Sequence, residues 1–78
     1  MNRAELVSLG EQLRGIGHRR RELAEQVSAE VREGDTQDSQ VLYRELSDVT
    51  GQAISLMQRQ RDILEREITQ LAGSTLEG

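Results

Sequence analysis

Cysteine, proline, phenylalanine, tryptophan and lysine are all missing from this chain of 78 residues. Without cysteine no disulfide can form, and the single histidine, His18, is a poor basis for a structural metal site. Without proline, and with abundant Glu, Gln, Arg, Leu and Ala, the composition favours long helices over sheets. Tyr43 is the only aromatic residue, so aliphatic side chains must form the core. These absences predict an all-α protein.

The small size of the chain predicts that it associates with another chain. A domain of this length buries only about 60% of the surface that its unfolded form exposes. Disulfides, a metal ion or oligomerisation usually compensate for so small a core. The composition disfavours the first two, which leaves association with a partner or with a second copy.

No set of residues with the chemistry of an active site is present. Nucleophile–base schemes require a Cys or an activated Ser beside a His, and His18 is followed by three arginines. His18 and Glu22 are i,i+4 neighbours, and a surface pair is the better interpretation than a metal site. We therefore expect no enzymatic activity, no catalytic residues, no metal site and no cofactor.

The charge of the chain limits its partners and its location. Ten basic residues against fourteen acidic ones give a net charge of −4, which disfavours nucleic acid. The basic run 18–21 is followed by Glu22 and Glu25, and no aromatic residue lies within it for base stacking. No apolar run approaches the ~20 residues of a membrane span, and no signal-peptide h-region is visible. A cytoplasmic protein is expected.

Apolar residues recur with a seven-residue period in two long segments, which predicts a coiled-coil-like hairpin. Helix 1 is expected over about 3–33, a turn over 34–38 around Gly34, and helix 2 over about 38–72. The tail 73–78, starting at Gly73, is predicted to fray. So short a linker implies two antiparallel helices in a single domain, 1–78, completed into a bundle by a partner or a second copy. Three rows in helix 1 form its apolar stripe: Leu6, Leu13 and Val27; Leu9, Ile16 and Leu23; and Gly10, Gly17, Ala24 and Val31.

Two features of the predicted helices leave alternatives open. The glycines at 10, 15 and 17 indicate either a loose or kinked helix or a notch that lets another helix approach closely. Arg20, Gln60 and Arg61 occupy core-like positions. They either set register and partner choice, or lay their stems along apolar surface while their polar ends reach solvent.

Helix 2 has two apolar seams, whereas one antiparallel neighbour covers only one. The inner seam follows 3-4 spacing through Leu42, Leu46, Val49, Ala53, Leu56 and Ile63. The outer seam is expected to stay uncovered and to bind protein; it contains Ile54, Met57, Arg61, Leu64, Ile68 and Leu71. The first hypothesis is a non-catalytic interaction module, a chaperone or adaptor, that binds a partner helix. The alternative is a structural subunit of a homo-oligomeric bundle or filament.

Part of the second half of the chain resembles a bacterial family. The resemblance is carried by Gly34-Asp35, Gln40-Val41, Arg44-Glu45 and Ala53-Ile54. These residues are similar to the short helical-hairpin co-chaperones of type III secretion needle subunits, the YscE/PscE family. The resemblance implies pairing with a helical-repeat chaperone that keeps the needle subunit unpolymerised in the cytoplasm. The segment 43–47 also looks like needle subunits, although the proline-containing turn of that family is absent.

Overall fold

The protein is an antiparallel hairpin of two long helices. The computed structural model describes residues 3–77 of the backbone and the side chains of 3–73. Helix α1 spans Arg3–Glu33 and α2 spans Thr36–Glu77. They pack along each other into a rod with extents of 65 × 18 × 14 Å. The predicted all-α, coiled-coil-like hairpin is confirmed.

The connection between the helices consists of only two residues, Gly34 and Asp35. Gly34 has a φ of 78°, and its N–H donates to the carbonyl of Val31, while the N–H of Asp35 donates to the carbonyl of Glu30. This pair of hydrogen bonds is a Schellman motif, which needs a left-handed residue that glycine adopts without steric conflict. It ends α1 at Glu33.

Asp35 also begins α2. Its Oδ1 accepts a hydrogen bond from the backbone N–H of Asp38 at 3.0 Å, and its carbonyl accepts one from the N–H of Ser39 at 3.1 Å. These are the bonds of an N-cap residue. Because one residue both follows the first helix and caps the second, α2 starts at Thr36. The turn is therefore shorter than the predicted 34–38.

The second helix continues beyond the end that the sequence predicts. Gly73 lies inside α2, which runs to Glu77, and Gly78 lies outside the described residues. Gly34 is the only described glycine with a positive φ, so Gly73 lacks the left-handed conformation of a helix-ending glycine. A helical glycine costs about 0.5–1 kcal/mol relative to alanine, which weakens a helix without ending it.

The core is a single line of aliphatic contacts between the helices. Leu9 and Leu23 of α1 and Val49, Ala53 and Ile63 of α2 are buried, yet each keeps 5–9% of its surface exposed. Flanking apolar residues are half-buried: Leu6, Leu13, Ile16, Val27, Leu42, Leu46 and Leu56. The inner seam of α2 therefore faces α1, as its spacing predicts, and two helices alone enclose no deeper interior.

Candidate protein-binding face

The outer seam of α2 lies in solvent in the isolated hairpin. Leu64, Ile54 and Met57 are 44%, 47% and 49% exposed, and Ile68 and Leu71 are 66% and 70% exposed. Arg61, in the middle of the seam, is also exposed. Residues that succeed one another by three or four positions on a helix share one face. The six predicted site residues therefore form one continuous stripe.

Two different causes leave this stripe exposed. Along Ile54, Met57 and Leu64, α1 lies beside α2 but covers only the neighbouring inner seam. Further on, α2 extends past Arg3, the first α1 residue that the structure describes, because α2 has 42 residues and α1 has 31. Ile68 and Leu71 lie on this extension, which explains why they are the most exposed. The first cause follows from the sequence pattern, whereas the second depends on the helix lengths.

Charged side chains close one flank of the hairpin. Arg59 Nε donates to Glu5 Oε1 at 2.6 Å, and Arg19 pairs with Glu45 across the same flank. The carboxylate of Glu5 raises the pKa of Arg59. In an antiparallel pair of helices, residues at the same flanking position of the heptad face each other across the core. Here the facing residues carry opposite charges. We call this side the ion-paired flank; it joins the helices but offers little apolar surface.

The other flank, which we call the open face, is apolar. It consists of two rows in each helix, and the residues within a row are seven positions apart. In α1 the rows are positions 7, 14, 21 and 28, and positions 3, 10, 17, 24 and 31. In α2 they are positions 40, 47, 54, 61 and 68, and positions 43, 50, 57, 64 and 71. The described part of the chain has nine large hydrophobic side chains that are exposed, and all but Val41 lie on the open face. Such clustering marks an interaction surface, since scattered exposed hydrophobic residues would occupy every side of the rod.

The contribution of α1 to this face corrects one expectation. The sequence pattern predicts that the row of Gly10, Gly17, Ala24 and Val31 lies in the stripe of α1 that faces α2. In the structure Ala24 and Val31 are exposed, with Val31 at 62%. Val31 instead lines an apolar groove on the open face with Tyr43 of α2. The seven-residue period identified the row but not its neighbours, because antiparallel pairing decides which edges of the two helices adjoin.

The glycines of α1 do not mark a close approach within the hairpin. Helix α1 is continuous through Gly10, Gly15 and Gly17, and a Cβ atom built on any of them meets nothing within 4 Å. Packing against α2 therefore does not require glycine at these positions. Gly10 and Gly17 lie on the open face, where a missing side chain leaves space for a second molecule.

Two of the three polar residues at the core-like positions, Arg20 and Arg61, have exposed side chains. Arg20 is exposed and its Nε donates to Thr50 Oγ1 at 2.9 Å, while that hydroxyl donates to the carbonyl of Leu46. Arg61 is exposed and lies 3.4 Å from a carboxylate oxygen of Asp62. The polar ends of both arginines reach the surface, whereas Gln60 is half-buried.

The open face has no acidic residue among its described side chains, although the whole chain has fourteen. Its charged residues are all arginines, at positions 3, 14, 21 and 61. Arg14 and Arg21 are exposed and form no ion pair with any described residue. An acidic protein thus presents an apolar surface with local positive charge.

Carboxylates gather instead at the helix junction. Oxygens of Glu30, Asp35 and Asp38 lie within 4.8 Å of one another. The N–H of Asp38 lowers the pKa of Asp35, and the hydrogen bond and negative charge of Asp35 raise the pKa of Asp38. Desolvation, together with Glu33 and these two carboxylates, raises the pKa of Glu30. Since the cap explains the position of Asp35, we assign this cluster to the turn.

His18 lies away from this cluster. Its Nε2 lies 3.0 Å from an oxygen of Glu22 one helical turn away, and both side chains are largely exposed. This is the surface pair that the sequence favours.

Comparison of the chain with protein-family models, curated proteins and solved structures gave no significant match. Over the described residues, neither helix includes a stretch that is both apolar and long enough to traverse a lipid bilayer.

Proposed function

We propose that this protein is a non-catalytic interaction module that binds a helix of a partner protein through its open face. The observation that carries the proposal is the exposure of the outer seam, where five large apolar side chains remain 44–70% exposed beside a narrow core. Full burial of such a side chain contributes about 1.5–3 kcal/mol. Since roughly half of their surface is exposed, covering all five would contribute about 4–8 kcal/mol before the cost of association.

The thin core supports the same proposal. Among the side chains that the structure describes, only five are well buried, so the free energy of unfolding of the isolated chain is expected to be small. A partner present at about 100 times its dissociation constant adds about 2.7 kcal/mol to that free energy. For a domain of this size, the melting temperature would rise by about 10–20 °C. A chaperone or adaptor that folds fully only with its partner has these properties.

Substitutions on the outer seam test the proposal. Leu64→Asp and Ile68→Asp place a charge on the open face without touching the inner seam, so they should abolish association and retain helical circular dichroism. Val41→Asp is the matched control, because Val41 is 57% exposed but lies off that face. The assay is reconstitution with the protein that co-purifies from the native host. If both seam variants still associate normally, the binding surface is elsewhere.

The resemblance to needle co-chaperones suggests a setting for this module. We propose that it acts in the cytoplasm of a bacterium with type III secretion, beside a helical-repeat chaperone that holds a needle subunit. Co-expression with those two proteins should yield a ternary complex by size-exclusion chromatography. If no complex forms, this setting is wrong and the general proposal remains.

Self-association through the same surface is the alternative function. A closed bundle or an open filament would then bury the outer seam against further copies of the chain. Sedimentation over a concentration series distinguishes these outcomes. A discrete dimer indicates a bundle, unlimited growth indicates a filament, and a persistent monomer supports a different partner.

A further inference from the structure

We propose that the partner segment is an amphipathic helix whose apolar stripe is bordered by carboxylates, and that Arg14 and Arg21 contact those carboxylates. This inference rests on the proposed function and adds the chemistry of the partner. It follows from the shape, the charge and the dimensions of the open face.

A groove on α1 combines an apolar floor with basic sides. Leu13, Gly17 and Ala24 line it together with His18 and three arginines, Arg14, Arg20 and Arg21. The absence of side chains at Gly17 lets another helix approach the backbone of α1 closely. A helix lying there would bring residues at the borders of its own apolar stripe beside Arg14 and Arg21.

The unpaired arginines at this groove indicate that the side chains of the partner that face them are negatively charged. Two arginines join the helices through carboxylates, Arg19 with Glu45 and Arg59 with Glu5. Arg14 and Arg21 have no such match among the described residues. Guanidinium groups form their strongest hydrogen bonds with carboxylates and phosphates. A protein helix fits an elongated apolar face, and its carboxylates complement the arginines.

The dimensions suit one long helix. Arg14 and Arg21 lie about 10.5 Å apart along α1, so the complementary carboxylates are expected seven residues apart in the partner. From Tyr43 to Leu71 the face extends about 42 Å along α2. With the 18 Å width of the rod where both helices lie side by side, this corresponds to at most about 750 Å², comparable to the ~800 Å² that each partner contributes to a standard interface.

A second copy of this chain fits the open face less well. In a two-fold symmetric pair the face would meet itself, and its described side chains include arginines but no carboxylate. Arg14 and Arg21 would then gain no acidic partner from the opposing face, and like charges brought together disfavour association. The charge pattern therefore favours a helix from a different protein.

Two synthetic helices provide the test. Each has about 30 residues and the same Leu/Ile stripe, bordered in one peptide by Glu and in the other by Lys. Titration of the full chain, followed by fluorescence anisotropy, should show the Glu-bordered peptide binding about tenfold more tightly, the factor expected of two partly exposed ion pairs. This preference should diminish as salt is raised from about 0.05 M to about 0.5 M.

Charge reversal on α1 supplies the decisive comparison. The double variant Arg14→Glu and Arg21→Glu should bind the Lys-bordered peptide more tightly, whereas Arg66→Glu, which lies off the open face, should keep the original preference. Circular dichroism checks that each variant remains folded. Equal binding of both peptides, binding of neither, or an unchanged preference in the double variant would overturn this inference.

The failure of this inference can be distinguished from failure of the proposed function. A homodimer that Leu64→Asp dissociates would show that the surface is an interface with the wrong predicted occupant. If neither Leu64→Asp nor Ile68→Asp disturbs association, the open face is not the binding surface and the proposed function itself is wrong.

Discussion

Replacing glycines of α1 with alanine separates the stability of the hairpin from its binding. Gly15 and Gly17 are both exposed and helical, and a Cβ atom on either meets nothing within 4 Å. They differ in one respect, since Gly17 lies on the open face and Gly15 does not. Gly17→Ala is therefore the perturbation, and Gly15→Ala is its matched control.

Both substitutions should stabilise the fold by the same amount. Alanine in a helix interior is favoured over glycine by about 0.5–1 kcal/mol, and here no contact offsets that gain. The melting temperature of a domain of this size rises by about 4–8 °C per kcal/mol, so each variant should melt about 2–8 °C higher. The double variant should show the sum, because the two positions share no packing partner.

Binding should distinguish the two variants. A methyl group on the floor of the α1 groove crowds a docked helix, and crowding of a well-packed contact costs about 1–3 kcal/mol. Gly17→Ala should weaken binding of the Glu-bordered peptide about fivefold or more, whereas Gly15→Ala should leave it unchanged. Chemical denaturation followed by circular dichroism measures stability, and anisotropy measures binding. If either variant is destabilised, the continuous, uncrowded helix described for this segment is wrong; equal peptide affinities would refute the role of Gly17 in the groove.

The helix junction yields two further predictions. Gly34→Ala should lower the free energy of unfolding by about 1–2 kcal/mol, because the left-handed backbone at this position crowds a Cβ atom. In contrast, Gly51→Ala, at a helical position, should raise the free energy of unfolding. Urea denaturation of the two variants measures both changes. The lowered pKa of Asp35 means that its cap stabilises the fold above the ordinary pKa of aspartate, and this stabilisation is lost as pH falls through the lowered value. The raised pKa of Asp38 has the opposite effect on stability, because ionisation of Asp38 destabilises the fold as pH rises. Relative to wild type, Asp38→Asn should therefore gain stability as pH rises from acidic towards neutral. A difference in melting temperature between the two proteins that does not change with pH would contradict this assignment.

The sequence pattern predicts much of the hairpin because helices are local structures. The seven-residue recurrence of apolar residues identifies both helices, and Gly34 marks the break between them. The exposure of Ile54, Met57 and Leu64 also follows from local information. Two apolar seams on one helix cannot both be covered by a single narrow neighbour.

Other features of the structure were not indicated by the sequence pattern. Gly73 looks like a helix end by composition, but its backbone stays helical, because a glycine permits a left-handed conformation without enforcing it. The strong exposure of Ile68 and Leu71 follows from the unequal lengths of α1 and α2. The sequence pattern placed both residues on the outer seam but did not indicate that they extend beyond the described start of α1.

What the sequence determined by itself is the angular position of each apolar residue around its own helix, since the helical period depends only on the backbone. Which edges of the two helices adjoin was decided by the tertiary structure. Antiparallel packing placed the row of Gly10 and Gly17 beside the row of Met57 and Leu64, and it placed the pairs Glu5–Arg59 and Arg19–Glu45 on the opposite side. An apolar face that draws residues from two helices exists only once they pack, because neither helix presents it alone.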